Sequence, residues 1–350
     1  MSILITLQIF NDFPHNLSQT NRHLSAFLVR LKKLKGCVVM EKFGFNHFGG
    51  PDVFETLNQS QPVPKANQVL IKVLAFGLNP YDVALRTGSQ QTVRPLPMPI
   101  VPGTDVVGEI VMLGAEVSDY RIGELVINHR PLGGYSEFVT ASTNKIIRKP
   151  ASLSIAEAAG LASAGITAYN TLMHFTNFKH GDTIAIMGAS GAVGSLLTQL
   201  SLAAHLNVIA IAHSSNLDYL RSFGVQETIA YDQPCDLSHF KQTAKIAVNL
   251  SRDPKSTELL NELVQPDGFF TSTTILPSEA EQVAGVTYQS VYPRRDYPDL
   301  TALQDLSELV DQGLLHVTVL EELPFTLEGV IKGHQLLESH HAPGKIIVSH

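Results

Sequence analysis

Residues 183–194 read TIAIMGASGAVG, and this stretch narrows the possible architectures more than any other. Ile184 to Met187 form a short apolar run suited to a buried strand, and Gly188, Gly191 and Gly194 follow it directly. Glycine at that spacing permits a tight turn, lets backbone come close to a pyrophosphate and lets a helix approach the sheet. After Gly194 the pattern changes to LLTQLSLAAHL, where Leu196, Leu197, Leu200 and Ala204 can share a helical face. A helix beginning near Gly191 presents unpaired N–H groups to anionic oxygens. Asn207–Ala212 then reads as a second strand, and Ser215–Phe223 as a second helix that stops at Gly224. The glycines therefore sit inside a whole βαβ unit.

A chain of 350 residues is long enough for two domains. The net charge is −7, from 32 acidic and 25 basic residues, with no long basic tract. That balance argues against a nucleic-acid partner. Cys37 and Cys235 are the only cysteines, too few for a disulfide scaffold or a four-thiolate zinc site and compatible with reducing cytoplasm. No apolar run approaches the roughly 18 residues of a membrane span. The opening MSILITLQIF lacks a positive n-region and is interrupted by Asn11 and Asp12, so a soluble, cytoplasmic protein is expected. Residues 1–35 have no clean period and carry Arg30, Lys32, Lys33 and Lys35, which reads as a peripheral extension before a compact domain that starts near Gly36.

From there the chain is punctuated by short extended pieces. Cys37–Met40 and Val69–Val73 are strand candidates, followed by Gly77–Asp82, reading GLNPYD. Pro80 pushes Asn79 towards an extended conformation before a short helix, which Asn79 and Asp82 either cap or leave to line a cleft. Further strands are expected at Glu109–Met112, Leu125–Ile127 and Ser136–Val139, separated by glycines in the manner of a partly open barrel. Ser154 and Glu157 fit a capping box, and Ser163–Phe175, with Thr167, reads as a second helical run. Beyond the glycine motif, strands at Glu227–Ala230, Ile246–Leu250 and Phe269–Thr273 with a helix over Ser256–Val264 predict a parallel sheet covered on both faces. Gly285–Tyr292 reads as an edge strand able to join two copies of the chain. Helices at Leu300–Val310 and Leu327–Leu337, with strands at His316–Leu320 and Lys345–Val348, are expected to return to the first, β-rich domain.

GLNPYD at Gly77–Asp82, VPGTDVVGEI at Val101–Ile110, AGITAY at Ala164–Tyr169, GASGAVG at Gly188–Gly194 and GKIIV at Gly344–Val348 occur in that order. In this the chain resembles the medium-chain dehydrogenase/reductase superfamily, in particular its zinc-independent NADPH:quinone oxidoreductase branch, over nearly everything from Gly36 onward. The resemblance implies an α/β fold, with a Rossmann cofactor-binding domain over 156–300 and a discontinuous β-rich GroES-like catalytic domain over 36–155 and 301–350. It also implies a homodimer. In the zinc alcohol dehydrogenases of the superfamily, metal ligands fall near Asn79–Asp82 and near Thr104 and Asp105. Neither stretch holds cysteine or histidine here, so no metal is expected, and Asp105 reads as a local hydrogen-bonding group.

A Rossmann site that takes NADH places an acid at the end of its second strand, on the adenosine ribose. Counting on from Gly188, that place holds His213, Ser214, Ser215 and Asn216, with no acid, which points to NADPH. The branch commonly has a lysine nearby where this chain has neutral Asn216; Arg221 or His213 can compensate, and Tyr231 resembles a residue on the adenosine side. The expected cofactor contacts are therefore Thr167, the turn Gly188, Ala189, Ser190, Gly191, Ala192, Val193 and Gly194, the stretch 213–216, and Tyr231. Asn79 and Tyr81 are the leading polar contacts to substrate or nicotinamide, with Asp82 and Thr104 in support. The implied reaction is metal-free transfer of hydride from NADPH to a quinone or a small α,β-unsaturated carbonyl. Another activated carbonyl, or cofactor binding without turnover, is the alternative.

Overall fold

The computed structural model describes residues 39–130, 132–294, 296–339 and 343–350. Cys37 and the whole 1–35 extension lie outside them. Strand β1 (Val39–Gly44) pairs antiparallel with β2 (Glu55–Ser60) as a two-stranded ribbon. Strand β3 (Gln68–Gly77) is buried along most of its length and runs through Asn79 into helix α1 (Pro80–Arg86). Asn79 has φ −134° and ψ 153°, the extended geometry that Pro80 imposes on its neighbour. Next come β4 (Asp105–Leu113), β5 (Leu125–His129), β6 (Phe138–Ser142) and β7 (Ile146–Arg148).

Helix α2 (Ile155–His174) then crosses to the second half of the molecule. The two helical runs expected from the sequence form one 20-residue helix, opened by the Ser154–Glu157 capping box. Its Ala156, Ala158, Ala159, Leu161, Ala162 and Ala164 are all buried, because the helix lies between the seven-stranded sheet and helices of the parallel half and needs small side chains on several faces.

The parallel half follows: β8 (Thr183–Met187), α3 (Ala192–Ala203), β9 (Asn207–Ala212), α4 (Leu217–Arg221), β10 (Glu227–Ala230), β11 (Ala244–Asn249), α5 (Lys255–Leu263), β12 (Val264–Ser272) and β13 (Thr287–Ser290). The second expected helix is split, with a 3-10 turn at Ser214–Asn216 before α4. Strand order is β10-β9-β8-β11-β12-β13, all parallel, which is the 3-2-1-4-5-6 doubly wound order with its switch point between β8 and β11. Ile184 to Met187 are paired on both sides, so the apolar run is buried as expected. The edge strand at 285–292 is β13, paired in the described residues with β12 alone.

Helix α6 (Asp299–Asp311) packs on α2, and the chain then leaves this sheet. Strand β14 (Val319–Pro324) lies a few residues beyond the expected His316–Leu320, followed by α7 (Leu327–Ser339) and β15 (Lys345–Ser349). These strands complete a seven-stranded sheet of order β14-β15-β3-β4-β5-β7, with β6 also on β3. One edge of β3 is shared, residues 68–72 pairing with β6 and 75–77 with β15. The β-rich unit is thus discontinuous in sequence.

Candidate active site

Four separate elements meet close to the turn that follows β8. Asn79 precedes α1, Thr104 precedes β4, Ser163 lies on α2 and Lys345 opens β15. Lys345 is only 4% exposed, and its Nζ donates to Asn79 Oδ1 at 2.7 Å, to Asp105 Oδ2 at 3.1 Å and to the Leu78 carbonyl at 3.1 Å. Asn79 Nδ2 donates to Thr104 Oγ1 at 2.9 Å and to Asp105 Oδ2 at 3.0 Å. Ser163 N–H donates to Asp105 Oδ1 at 2.8 Å, and the Ser163 and Thr104 hydroxyls are 2.9 Å apart. Burial pushes Asp105 up, but the Lys345 ammonium, His129, Ser163 and Asn79 together bring its carboxyl below the ordinary value.

Proton counting orders this network. Lys345 has only donors, so the Asn79 atom facing it is the oxygen; ionised Asp105 only accepts, so the atom facing it is the nitrogen. Thr104 Oγ1 then accepts from Asn79 and passes its own proton to Ser163, because the reverse leaves a buried Thr104 hydroxyl without an acceptor among the described residues. The chain of donors ends at Ser163, which is half-buried and keeps one unassigned proton.

The other expected contacts fall as follows. Tyr81 is half-buried, and its hydroxyl accepts from Arg94 Nη1 at 2.8 Å. Asp82 needs a correction, since it is fully buried and faces the interior rather than a cleft. Its oxygens accept from Gly103 N–H at 3.0 Å, Asn79 N–H at 2.9 Å and the Tyr135 hydroxyl at 3.0 Å, which ties the 77–82 loop to the 103 and 135 segments. Burial raises its carboxyl to about 6 despite those donors. Thr167 donates to the Ser163 carbonyl at 2.7 Å, one turn back on α2.

The glycine turn supplies a different surface. Gly188 has φ +79°, which few side chains tolerate, and a Cβ on Gly194 would lie 2.1 Å from the Gly188 carbonyl oxygen. Helix α3 starts at Ala192 and Val193 after Gly191, whose N-cap position carries no side-chain cap. Its first N–H groups therefore remain for an anion at the switch point of the sheet. Ala189 is buried beneath the turn, and Ser190 Oγ accepts from Asn216 Nδ2 at 3.2 Å. This cradle fits a dinucleotide pyrophosphate. Gly191 also bridges to Gly344, next to Lys345, so the turn touches the polar network's own strand.

At the end of β9, the His213 ring nitrogen Nδ1 is 2.9 Å from Ser215 Oγ, and Tyr231 is half exposed with its ring edge-on to His213. Arg221 is engaged by Asp218 and Thr228. The 213–216 stretch has no acid of its own, but Asp232 reaches it from beyond β10 and accepts from the Ser214 N–H and hydroxyl, both at 2.7 Å. Ser163, Lys345 and Asp232 are the residues that sequence reasoning did not assign to the site. GKIIV carried Lys345 and the α2 run carried Ser163, yet neither position announces a partner so distant in sequence. Two grooves of about 460 and 780 Å³ flank the opposite, N-terminal end of the parallel sheet, around Leu202 and Gly224. In sheets of this kind ligands lie at the C-terminal ends, so these grooves are not the candidate site.

The strand order, uncapped α3 and discontinuous second sheet define a two-domain dehydrogenase architecture. The alcohol dehydrogenase GroES-like domain matches residues 65–151, and the zinc-binding dehydrogenase model matches residues 223–348. Among the described residues no group of three or more His, Cys, Asp or Glu could hold a metal ion. A quinone-oxidoreductase homolog of Spinacia oleracea chloroplasts is 33% identical over 53% of this chain and 59% of its own length. The 2-methylene-furan-3-one reductase of Solanum lycopersicum is 29% identical over 88% of this chain and 79% of its own length. The solved quinone oxidoreductase of Coxiella burnetii superposes with a TM-score of 0.76 at 26% identity, covering 89% of this chain and 100% of that one. The match to the first curated relatives spans 50 to 62% of their length. The chain belongs to the medium-chain dehydrogenase/reductase superfamily and is similar to its quinone-oxidoreductase-like members.

Proposed function

We propose that the chain is an NADPH-dependent oxidoreductase that reduces a quinone or a small α,β-unsaturated carbonyl without a catalytic metal. The observation that carries this reading is the ordered donor chain from Lys345 through Asn79 and Thr104 to Ser163, set beside the uncapped N-terminus of α3. A nicotinamide cofactor would supply hydride when bound there. The Ala192 and Val193 N–H groups would hold its phosphates, and Thr167, Tyr81 and the 213–216 turn with Tyr231 would border it. Ser163 offers its proton to an acceptor oxygen and so stabilises charge that develops there. The described network holds no free ionisable acid, so the last proton comes from water. The names of the relatives, a quinone oxidoreductase homolog and a reductase of a methylene-furanone, agree with this substrate class.

We take residues 36–155 and 301–350 as the substrate domain and 156–300 as the cofactor domain, a division supported by sheet membership. No helix among the described residues is long and apolar enough to cross a membrane. A cytoplasmic location and a homodimer joined through β13 complete the reading.

Steady-state assays that pair NADPH or NADH with a quinone, a short enone and a simple alcohol test it. NADPH-driven reduction of quinone or enone is expected, with negligible metal-free alcohol oxidation. Ser163→Ala should lower kcat/KM roughly tenfold, the effect of one lost hydrogen bond of about 1.4 kcal/mol. Zinc-dependent alcohol turnover would reject the assignment, and tight NADPH binding with no turnover on any acceptor would favour a regulatory protein.

A further inference from the structure

Asp232 stands just beyond the end of β10, and its carboxylate crosses to the turn that follows β9. Oδ1 accepts the Ser214 N–H and Oδ2 the Ser214 hydroxyl, both at 2.7 Å, while His213 Nε2 lies 3.4 Å from Oδ2. The Ser214 hydroxyl above all holds this carboxyl below its ordinary value, so it is charged at neutral pH. The loop after the second strand of such a sheet is where the adenosine ribose of a bound dinucleotide lies. Here the second strand brings no acid to that place, and the third strand delivers one instead.

We infer that Asp232 is a specificity-determining residue: it accepts from a free ribose 2′-hydroxyl and opposes a 2′-phosphate, so NADPH is held less tightly than residues 213–216 alone would allow. The inference rests on the nucleotide reading of the cleft. A 2′-phosphate has to compete with the carboxylate for the same Ser214 N–H and O–H donors, at short range from a like charge. A ribose hydroxyl can donate to that carboxylate without displacing it. The neighbouring polar groups do little to offset the repulsion. Arg221 is held by Asp218 and Thr228, His213 is shared between Ser215 and Asp232, and Asn216 gives its amide to Ser190.

Titration calorimetry on the full chain tests this without turnover, with dissociation constants measured for NADPH and NADH on wild type, Asp232→Asn and Asp232→Ser. Asparagine keeps an oxygen for the Ser214 N–H, so the turn is retained. Asp232→Asn should tighten NADPH about tenfold and leave NADH within about threefold, and added salt should shrink the difference between wild type and variant. An unchanged ratio of the two constants in both variants, or equal tightening of both ligands, would overturn the inference. If a folded wild type binds neither dinucleotide, the nucleotide reading itself fails and takes the inference with it, an outcome separate from an unchanged ratio.

Discussion

Lys345 brings a positive charge to a place almost closed to water, and Asp105, Asn79 and the Leu78 carbonyl take up all three of its donors. Removing one partner of such a pair leaves the other buried and uncompensated. Lys345→Met should therefore cost about 3–5 kcal/mol in urea unfolding, and adding Asp105→Asn to it should recover part of the loss. A loss under about 1 kcal/mol would mean that the pair is not closed from solvent as described. Asn79 was legible in the sequence because Pro80 fixes its backbone. Lys345 was not, since a lysine that opens an apolar strand looks like any surface lysine, and its partner Asp105 is 240 residues away. Asp82 follows the capping reading rather than the cleft one: it accepts the Asn79 N–H at the start of α1, and only Tyr135 and Gly103 packed over it show that it faces inward.

Helix α3 depends on how closely its first turn sits on the strand end. A methyl group at Gly194 meets the Gly188 carbonyl at 2.1 Å, a backbone atom that cannot turn aside. Gly194→Ala should destabilise the chain by about 1–3 kcal/mol and weaken NADPH binding at least about tenfold, read by thermal unfolding and by calorimetry. Normal binding in that variant would show that the helix need not lie so near. The strands β8 and β9 and this helix were legible because apolar period, glycine spacing and length agree there. The two runs that make α2 were harder to join, because a helix buried on several faces loses the one-sided pattern by which helices are recognised. Strand β14 is exposed at alternate positions on a sheet edge, so its limits were set by pairing with β15 rather than by its own residues.

Across the whole molecule, α2 is packed against the seven-stranded sheet on one side and against α3 and α6 of the parallel half on the other, and Gly191 bridges to Gly344. Cofactor turn and polar network are thereby built on one rigid support, as a reaction between two bound molecules requires. The doubly wound half and the return of the C-terminal strands were legible from the alternation of elements. The meeting of Asn79, Thr104, Ser163 and Lys345 was not, because it depends on how β15 and α2 pack against the ends of β3 and β4, far apart in sequence. The edge of β13 that is unpaired among the described residues bears on assembly. Sedimentation at several concentrations should give twice the chain mass, and a concentration-independent monomer would reject pairing through that edge. On the proposed function, hydride passes directly from a dinucleotide on α3 to an acceptor beside Ser163. Mass spectrometry of an enone reduced with NADPH carrying two deuterons at C4 follows that transfer. One deuteron is expected on the β-carbon of the product and solvent hydrogen on the α-carbon; a product without label at the β-carbon would rule out direct transfer.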